Sequence, residues 1–356
     1  MQVSKKSWNK KFLALLAACV FTLAGCSNDK EGQFEQLTTP EALAEHSKEF
    51  RKSIEEITDG VWIAIGYGLA NSILIEGDDG LIVIDTMETL EEGKVVAEEF
   101  RKLSDKPLKA IIYTHNHTDH VFGAQAFIEV LGAEGTPVEV YAHRDTEYYV
   151  NRIVSEYRPI ITARSFRMFG THLDEHGLVN DGIGPHLSID ENSNFGFVKP
   201  TVTLDKELEV LIAGVKFKLV HAPGETNDQI FVWLPEKQVL AVGDNLYKTF
   251  PNLYTIRGTP YRSLKQWAAS IDKMRALPVA HIAPSHTRPL HGEEEIQRVL
   301  TNYRDAIRFV YDQTVRWMNA GLTPDEIVER VKLPEHLATE PYLQEFYGTV
   351  EWSARS

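Results

Sequence analysis

The apolar run Lys109-Ala110-Ile111-Ile112-Tyr113 leads straight into Thr114-His115-Asn116-His117-Thr118-Asp119-His120. Branched apolar residues followed at once by four metal-liganding side chains in six positions describe a strand end that opens into a loop, with a helix to follow. Side chains at the carboxyl ends of strands can be aimed at one point, so ligands collect there in sheet proteins. Four such groups cannot all face one ion. Alternation along an extended loop pairs His115 with His117 and leaves Asp119 with His120 for a second ion. Neutral imidazoles with carboxylates, and one position left open for water, suit hydrolytic zinc chemistry.

The rest of the chain supplies the sheet this segment requires. Strands are predicted over 61–65, 72–76 and 80–85, with Gly77-Asp78-Asp79-Gly80 as a hairpin turn between the last two. Helical spacing is predicted over 41–56 and 90–103, then after Phe122 and from Arg144, with a strand at 138–141 between the last two. Residues 158–198 are rich in Gly, Pro, Asn and Asp and show no sustained period, so they are read as a long irregular cover over a functional surface. Strands resume at 201–204, 208–212, 215–220, 229–234 and 238–242. From Ser263 the chain is chiefly helical, over 263–276, 292–318 and 323–332, with a short strand at 280–283. This is α/β alternation with hairpins at its start: a mixed sheet covered by helices.

Charge narrows the partners. The 356 residues carry 37 basic and 51 acidic side chains, a formal net charge of −14. That balance excludes a nucleic-acid binder and a basic lipid-docking face. It also repels an anionic substrate at long range, so any anion site needs its own local positive field.

The first 25 residues read as an export signal. Lys5, Lys6, Lys10 and Lys11 precede an uncharged run from Phe12 to Gly25, shorter than the ~20 residues of a spanning helix. The run ends Leu23-Ala24-Gly25-Cys26, which resembles the bacterial lipoprotein cleavage box; that resemblance implies a lipid on Cys26 and a polar tether over 26–40. Ser27 after the cysteine resembles lipoproteins of the outer membrane, so the expectation is a lipid-anchored protein on the periplasmic face. Cys19 and Cys26 are the two cysteines, which rules out a disulfide framework or a cysteine zinc site.

His-x-His-x-Asp-His after a strand resembles the metallo-β-lactamase superfamily, and later strand ends agree with it in order. Pro223-Gly224-Glu225-Thr226 resembles its Pro-Gly-His-Thr turn, with Glu225 in place of the histidine. Val242-Gly243-Asp244 resembles its bridging aspartate, and Pro284-Ser285-His286 its last histidine. The resemblance implies an αββα sandwich (α/β in the broad sense) over 41–290, and two zinc ions. His115, His117 and Glu225 would hold one ion, Asp119, His120 and His286 the other, with Asp244 between them. Asp119 and Asp244 would then carry the catalytic roles.

Glu225 resembles the alkylsulfatase branch, which hydrolyses alkyl sulfate esters such as dodecyl sulfate. Asn252-Leu253-Tyr254-Thr255-Ile256-Arg257-Gly258 resembles that branch's sulfate-contacting segment, which implies roles for Asn252 and Arg257. A guanidinium suits the task, as a planar fork of donors that keeps its charge. The helical extension over 291–356, with Tyr347-Gly348-Thr349-Val350-Glu351-Trp352, resembles the start of the branch's dimerisation region and implies a homodimer. Three positions depart from the pattern. Asp244 stands where that branch has Glu, Arg262 stands where a sulfate-contacting histidine is expected, and the branch continues beyond residue 356. Two alternatives stay open at this point: another hydrolase of the superfamily, acting on lactones, thioesters, phosphodiesters or β-lactams, or a lipid-anchored metal-binding protein without turnover.

Other residues take plainer readings. His221 is read as packing or supporting the site, and His143 as lining it without ligating; His172, His176 and His186 lie in the irregular stretch. Trp62, Tyr67, Phe166, Phe169, Phe195 and Phe197 are candidates for an alkyl-chain groove, or for ordinary packing.

Overall fold

The computed structural model describes residues 39–174, 177–190 and 192–356. The export signal, Cys26, nearly all of the tether and His176 lie outside the described residues. A short helix, α1 (Pro40–His46), leads through a 3₁₀ turn into the first sheet. That sheet holds β1 (Ser53–Thr58), β2 (Val61–Ile65), β3 (Ser72–Glu76), β4 (Leu81–Ile84), β5 (Leu108–Ile112), β6 (Glu139–His143) and β7 (Val202–Leu204), paired in that order. The second sheet holds β8 (Glu207–Ile212), β9 (Val215–His221), β10 (Ile230–Leu234), β11 (Val239–Ala241), β12 (His281–Ala283) and β13 (Leu290–His291), paired in reverse order from β13 to β8.

Strand alternation decides what each face meets. On β10, Ile230, Val232 and Leu234 enter the core between the sheets, while Phe231 and Trp233 face the helices outside. On β3 and β4, Ile73, Ile75, Ile82 and Ile84 point inward, and Leu74, Leu81 and Val83 outward. Both faces being apolar, each sheet needs cover on both sides. Helices α2 (Leu90–Arg101) and α4 (Ala124–Leu131) cover the first sheet, packing Phe100 and Phe127 against it. Helices α7 (Leu264–Arg275) and α8 (Glu293–Asn319) cover the second through Trp267, Ile271, Leu300 and Ile307. The short helices α9 (Pro324–Val328), α10 (Glu335–Ala338) and α11 (Val350–Arg355) extend that same core, so it is helix, sheet, sheet, helix. None of the described helices is long and apolar enough to cross a membrane.

Two expectations are corrected. The helix expected over 41–56 stops at His46, and Ser53–Thr58 instead pairs antiparallel with β2. Asp59-Gly60 makes that hairpin, with Gly60 at a φ of 70° that glycine tolerates without strain. Cross-strand pairing outweighs the helical spacing of a charged segment. Residues 158–198 are not irregular throughout, since α6 (Arg158–Met168) opens the stretch after a π-helical turn at Arg152–Tyr157. Neither piece has a buried residue, so there was no apolar stripe to reveal the helix. The shorter helices α3 (Thr118–Val121) and α5 (Thr146–Asn151) complete the set.

Candidate metal centre and its two cavities

Five strand ends meet at one place. The loop after β5 carries His115 and His117, and the first turn of α3 carries Asp119 and His120. Glu225 follows β9, Asp244 follows β11, His286 follows β12, and Asp85 follows β4. Two of these turns need glycine. A Cβ on Gly224 would stand 1.9 Å from Asn245 Oδ1, and one on Gly243 would stand 1.9 Å from Gln229 Nε2. Asp85, Met87 and Thr287 take positive φ angles of 58°, 69° and 66°, so the backbone around the site is held in an unfavourable region.

Asp85 was not singled out from the sequence, yet it orders the centre. It accepts hydrogen bonds from Thr114 N and Thr114 Oγ1, both at 2.8 Å, and from Ser285 Oγ at 2.9 Å. It also lies 2.8 Å from His120 Nδ1. That contact assigns the Nδ1 proton and turns Nε2 inward, towards Asp119 Oδ2 at 3.3 Å and Asp244 Oδ1 at 3.4 Å. His286 donates from Nδ1 to the Leu69 carbonyl at 2.9 Å, which leaves Nε2 3.2 Å from Asp244 Oδ2 and 3.5 Å from Asp119 Oδ2. His115 Nδ1 contacts Thr114 Oγ1 at 3.0 Å, and its Nε2 stands 3.5 Å from Asp244 Oδ2. Asp228, also unremarked in the sequence, bonds Asn116 and Thr146 and so fixes the loop from behind. The one visible sign of Asp85 is an acid at the end of a wholly apolar strand.

Three sets of ligand atoms lie within 4.8 Å of one another: His115, His120 and Asp244; Asp119, His120 and His286; His117, Glu225 and Asp244. Asp119, His120 and His286 thus come together, His117 comes with Glu225, and Asp244 stands in both of the sets that hold His115 and His117.

The donor set fits divalent metal ions. His115 Nε2, His120 Nε2 and Asp244 Oδ1 are buried and have no hydrogen-bond partner. Burial, with His120 beside it, lowers the pKa of His115 to about 4, and burial and His115 depress His117 as well. Burial also works against the charge of His120, but Asp119, Asp244 and Asp85 outweigh it and raise that pKa well above the usual value. For Asp119, burial is outweighed by His120 and His286, leaving its pKa at about 2. Packed carboxylates that draw positive charge onto His120 and His286 mark a place where cations belong.

Arg257 reaches this centre, with Nη2 3.5 Å from His117 Nε2. Arg262, another expected sulfate contact, lies against Glu225. It is buried, with Nη2 2.9 Å from Glu225 Oε1, and another nitrogen donates to the Asn252 carbonyl. A buried guanidinium needs a counter-charge, and Glu225 is the one in reach. Tyr247 donates to the other Glu225 oxygen at 3.1 Å. Asn252 is buried beside these groups, its backbone N–H donating to the Tyr247 hydroxyl at 2.9 Å.

Two cavities adjoin the centre and share His117, Glu225 and Arg257. One, of about 540 Å³, is lined by Phe122, Phe166, Phe169, Phe195 and Phe197. The other, of about 360 Å³, is lined by Arg152 and Arg164 together with Tyr149, Tyr157, Ile153, Ile160 and Ile161. Trp62 and Tyr67 face neither; they pack on the core under α2 and α4. His143 lines neither cavity, because its ring stacks on His221 at 4.3 Å. His172 and His186 are exposed.

The profile of the metallo-beta-lactamase superfamily matches residues 65–286, from β2 to the last histidine. The chain belongs to the metallo-β-lactamase superfamily. Its likeness within that superfamily is to the alkylsulfatase branch. The profile for alkyl sulfatase dimerisation matches residues 323–356. A linear primary-alkylsulfatase of Pseudomonas sp. is 43% identical over 289 residues, 79% of this chain and 54% of the relative. An alkyl/aryl-sulfatase of Saccharomyces cerevisiae is 30% identical over 312 residues, 85% of this chain and 47% of the relative. Among solved structures, the stereoselective inverting sec-alkylsulfatase Pisa1 from Pseudomonas sp. aligns with a TM-score of 0.82 at 26% identity, covering 88% of this chain and 51% of that one. The chain spans about half the length of the curated relatives it matches. Metal ions are typical of the superfamily, and the His, Asp and Glu groups that converge here could hold them.

Proposed function

We propose that this superfamily member hydrolyses alkyl sulfate esters, with dodecyl sulfate a representative substrate, using two zinc ions. The observation that carries the reading is a single junction where the ligand cluster, the guanidinium of Arg257 and a phenylalanine-lined cavity meet. A sulfate ester is an anion joined to a hydrocarbon, and the junction has a place for each part.

His115, His117 and Glu225 would hold one zinc, Asp119, His120 and His286 the other, with Asp244 shared. When bound, zinc supplies Lewis acidity that brings water from a pKa of 15.7 towards ~7. Arg257 holds the sulfate through charge-assisted hydrogen bonds. The alkyl chain lies along the phenylalanine rings, which exclude water from it. Asp119 is ionised at neutral pH and orients the attacking water by accepting its hydrogen bond at a carboxylate oxygen. Arg262 acts through Glu225, whose charge it balances. The overall change is ester plus water to alcohol plus hydrogensulfate, which then loses a proton to the solvent.

The same proposal takes 41–290 as the catalytic unit and 291–356 as a helical segment that pairs two copies. Residues 1–25 would be a signal and Cys26 a lipidated anchor on the periplasmic face of the outer membrane. The mass of the mature N-terminal peptide from exported protein tests the anchor: a diacylated Cys26 is expected, and an unmodified peptide refutes it.

The deciding experiment measures inorganic sulfate released from dodecyl sulfate by protein beginning after Cys26, with metal content determined alongside. Release that depends on zinc and disappears in Asp119→Ala is expected. A folded, two-zinc protein that releases none overturns the assignment of dodecyl sulfate.

A further inference from the structure

An acidic chain that takes an anionic substrate must concentrate positive charge somewhere, and α6 is where it does. Arg158, Arg164 and Arg167 lie on this helix without a single acid, in a chain with 51 acidic against 37 basic side chains. No described carboxylate pairs with any of the three, whereas Arg144, Arg262, Arg275, Arg288 and Arg298 all have one. The helix has no buried residue, so core packing does not explain its position. Arg164 Nη1 comes within 3.2 Å of where a Cβ on Gly258 would stand, which sets its guanidinium against the backbone next to Arg257.

These arginines give the two cavities an opposite balance of charge, although both have apolar walls and share Ile153 and Ile161. The smaller is lined by Arg152, Arg164 and Arg257 against one carboxylate, Glu225, which Arg262 already balances. Arg152 has a distant partner in Glu156, at 3.5 Å. The larger cavity carries Asp119, Asp190, Glu225 and Asp244 against Arg158 and Arg257, and its remaining walls are chiefly apolar. A tetrahedral dianion gains charge-assisted hydrogen bonds from three guanidinium groups set against one carboxylate, and the four carboxylates of the larger cavity offer it none.

We propose that the smaller cavity is a second anion site, through which inorganic sulfate leaves the centre by passing from Arg257 to Arg164 and Arg152, while the alcohol leaves through the phenylalanine cavity. This rests on the sulfate-ester reading above. The substrate would then span both cavities, and the two products would part without passing each other.

The test is product inhibition by inorganic sulfate in Arg164→Gln and Arg152→Gln, read beside the ratio of KM for hexyl and dodecyl sulfate. Each substitution is expected to raise the sulfate inhibition constant about tenfold, the worth of one charge-assisted hydrogen bond. Arg164→Lys, which keeps the charge, is expected to restore part of it. The KM ratio should stay constant in these variants and flatten in Phe166→Ser, with the inhibition constant there unmoved. An active protein whose inhibition constant stays within twofold in both arginine variants overturns the proposal, as does a KM ratio that moves with it. If the wild-type chain hydrolyses no alkyl sulfate, the functional reading fails by itself. Calorimetric titration of the zinc-loaded protein with sodium sulfate then decides this site: binding lost in Arg164→Gln upholds it, and binding that is absent or unaltered refutes it.

Discussion

The floor of the site and its roof are built on opposite principles. In the floor, Asp85, His115, His120, Glu225, Asp244 and His286 are each at most 2% exposed, and Asp85 alone accepts from four neighbouring side-chain or backbone donors. In the roof, from Arg152 to Met168, nothing is buried, and Ile160 is 48% exposed. Chemistry needs groups held to fractions of an ångström, which only close packing and hydrogen bonding supply. Selecting a flexible hydrocarbon and passing an anion need charge and apolar surface at a mouth, where stability is low. The difference teaches that reactivity and selectivity can be altered separately in this molecule.

The largest expected effect breaks the floor. Asp244→Ala removes the carboxylate that every imidazole faces, and should lower both metal content and turnover by more than ~100-fold, beyond the usual cost of losing a supporting group. Elemental analysis of the purified variant checks it, and normal metal content would refute the central role. Packing should show the same contrast. Phe100→Ala, in the core under α2, is expected to cost about 3–5 kcal/mol in denaturant unfolding. Ile160→Ala, in the roof, should stay within about 0.5 kcal/mol of the parent. Equal losses at the two positions would erase the distinction. Asp85→Asn comes next, since asparagine tolerates the positive φ but weakens the hold on His120; roughly 10–100-fold lower metal affinity is expected from a zinc titration.

The smallest effect lies beside the roof. Burial raises the Asp181 carboxyl from 3.8 to about 7, against a hydrogen bond from Leu187 N that works to lower it. Between those values the folded state holds a proton that the unfolded chain has released, so stability falls as pH rises through this window. There is no penalty below about pH 4, and the full penalty remains above about pH 7. Asp181→Asn should flatten that decline in unfolding midpoints measured across the window. A variant with the parent's pH dependence would count against it.

Much of this was legible in the residues. The apolar runs of β3, β4 and β10 pointed to a sheet covered by helices, and the ligand-type residues at four later-converging strand ends were all visible in order. The β1 strand was not, because its charges suit either a helix or a sheet edge and only pairing with β2 decides. Helix α6 left no pattern because it buries nothing. Arg262 was expected to face the substrate, and its partner Glu225 was recognised separately, but nothing local says that the two meet.

The sequence by itself determined which chemistry was available: four imidazoles with acids at strand ends, an arginine near them, and apolar strands to build the sandwich. Local order suffices there, because periodicity and turn residues act over a few positions. The tertiary structure alone decided which atoms touch. Asp85 meets Ser285 across 200 residues of chain, Arg262 closes on Glu225, and α6 lends residues to both a phenylalanine-lined cavity and an arginine-bearing one above the centre. Such contacts arise from the packing of whole sheets and helices, and a buried charge takes whichever partner that packing brings within reach.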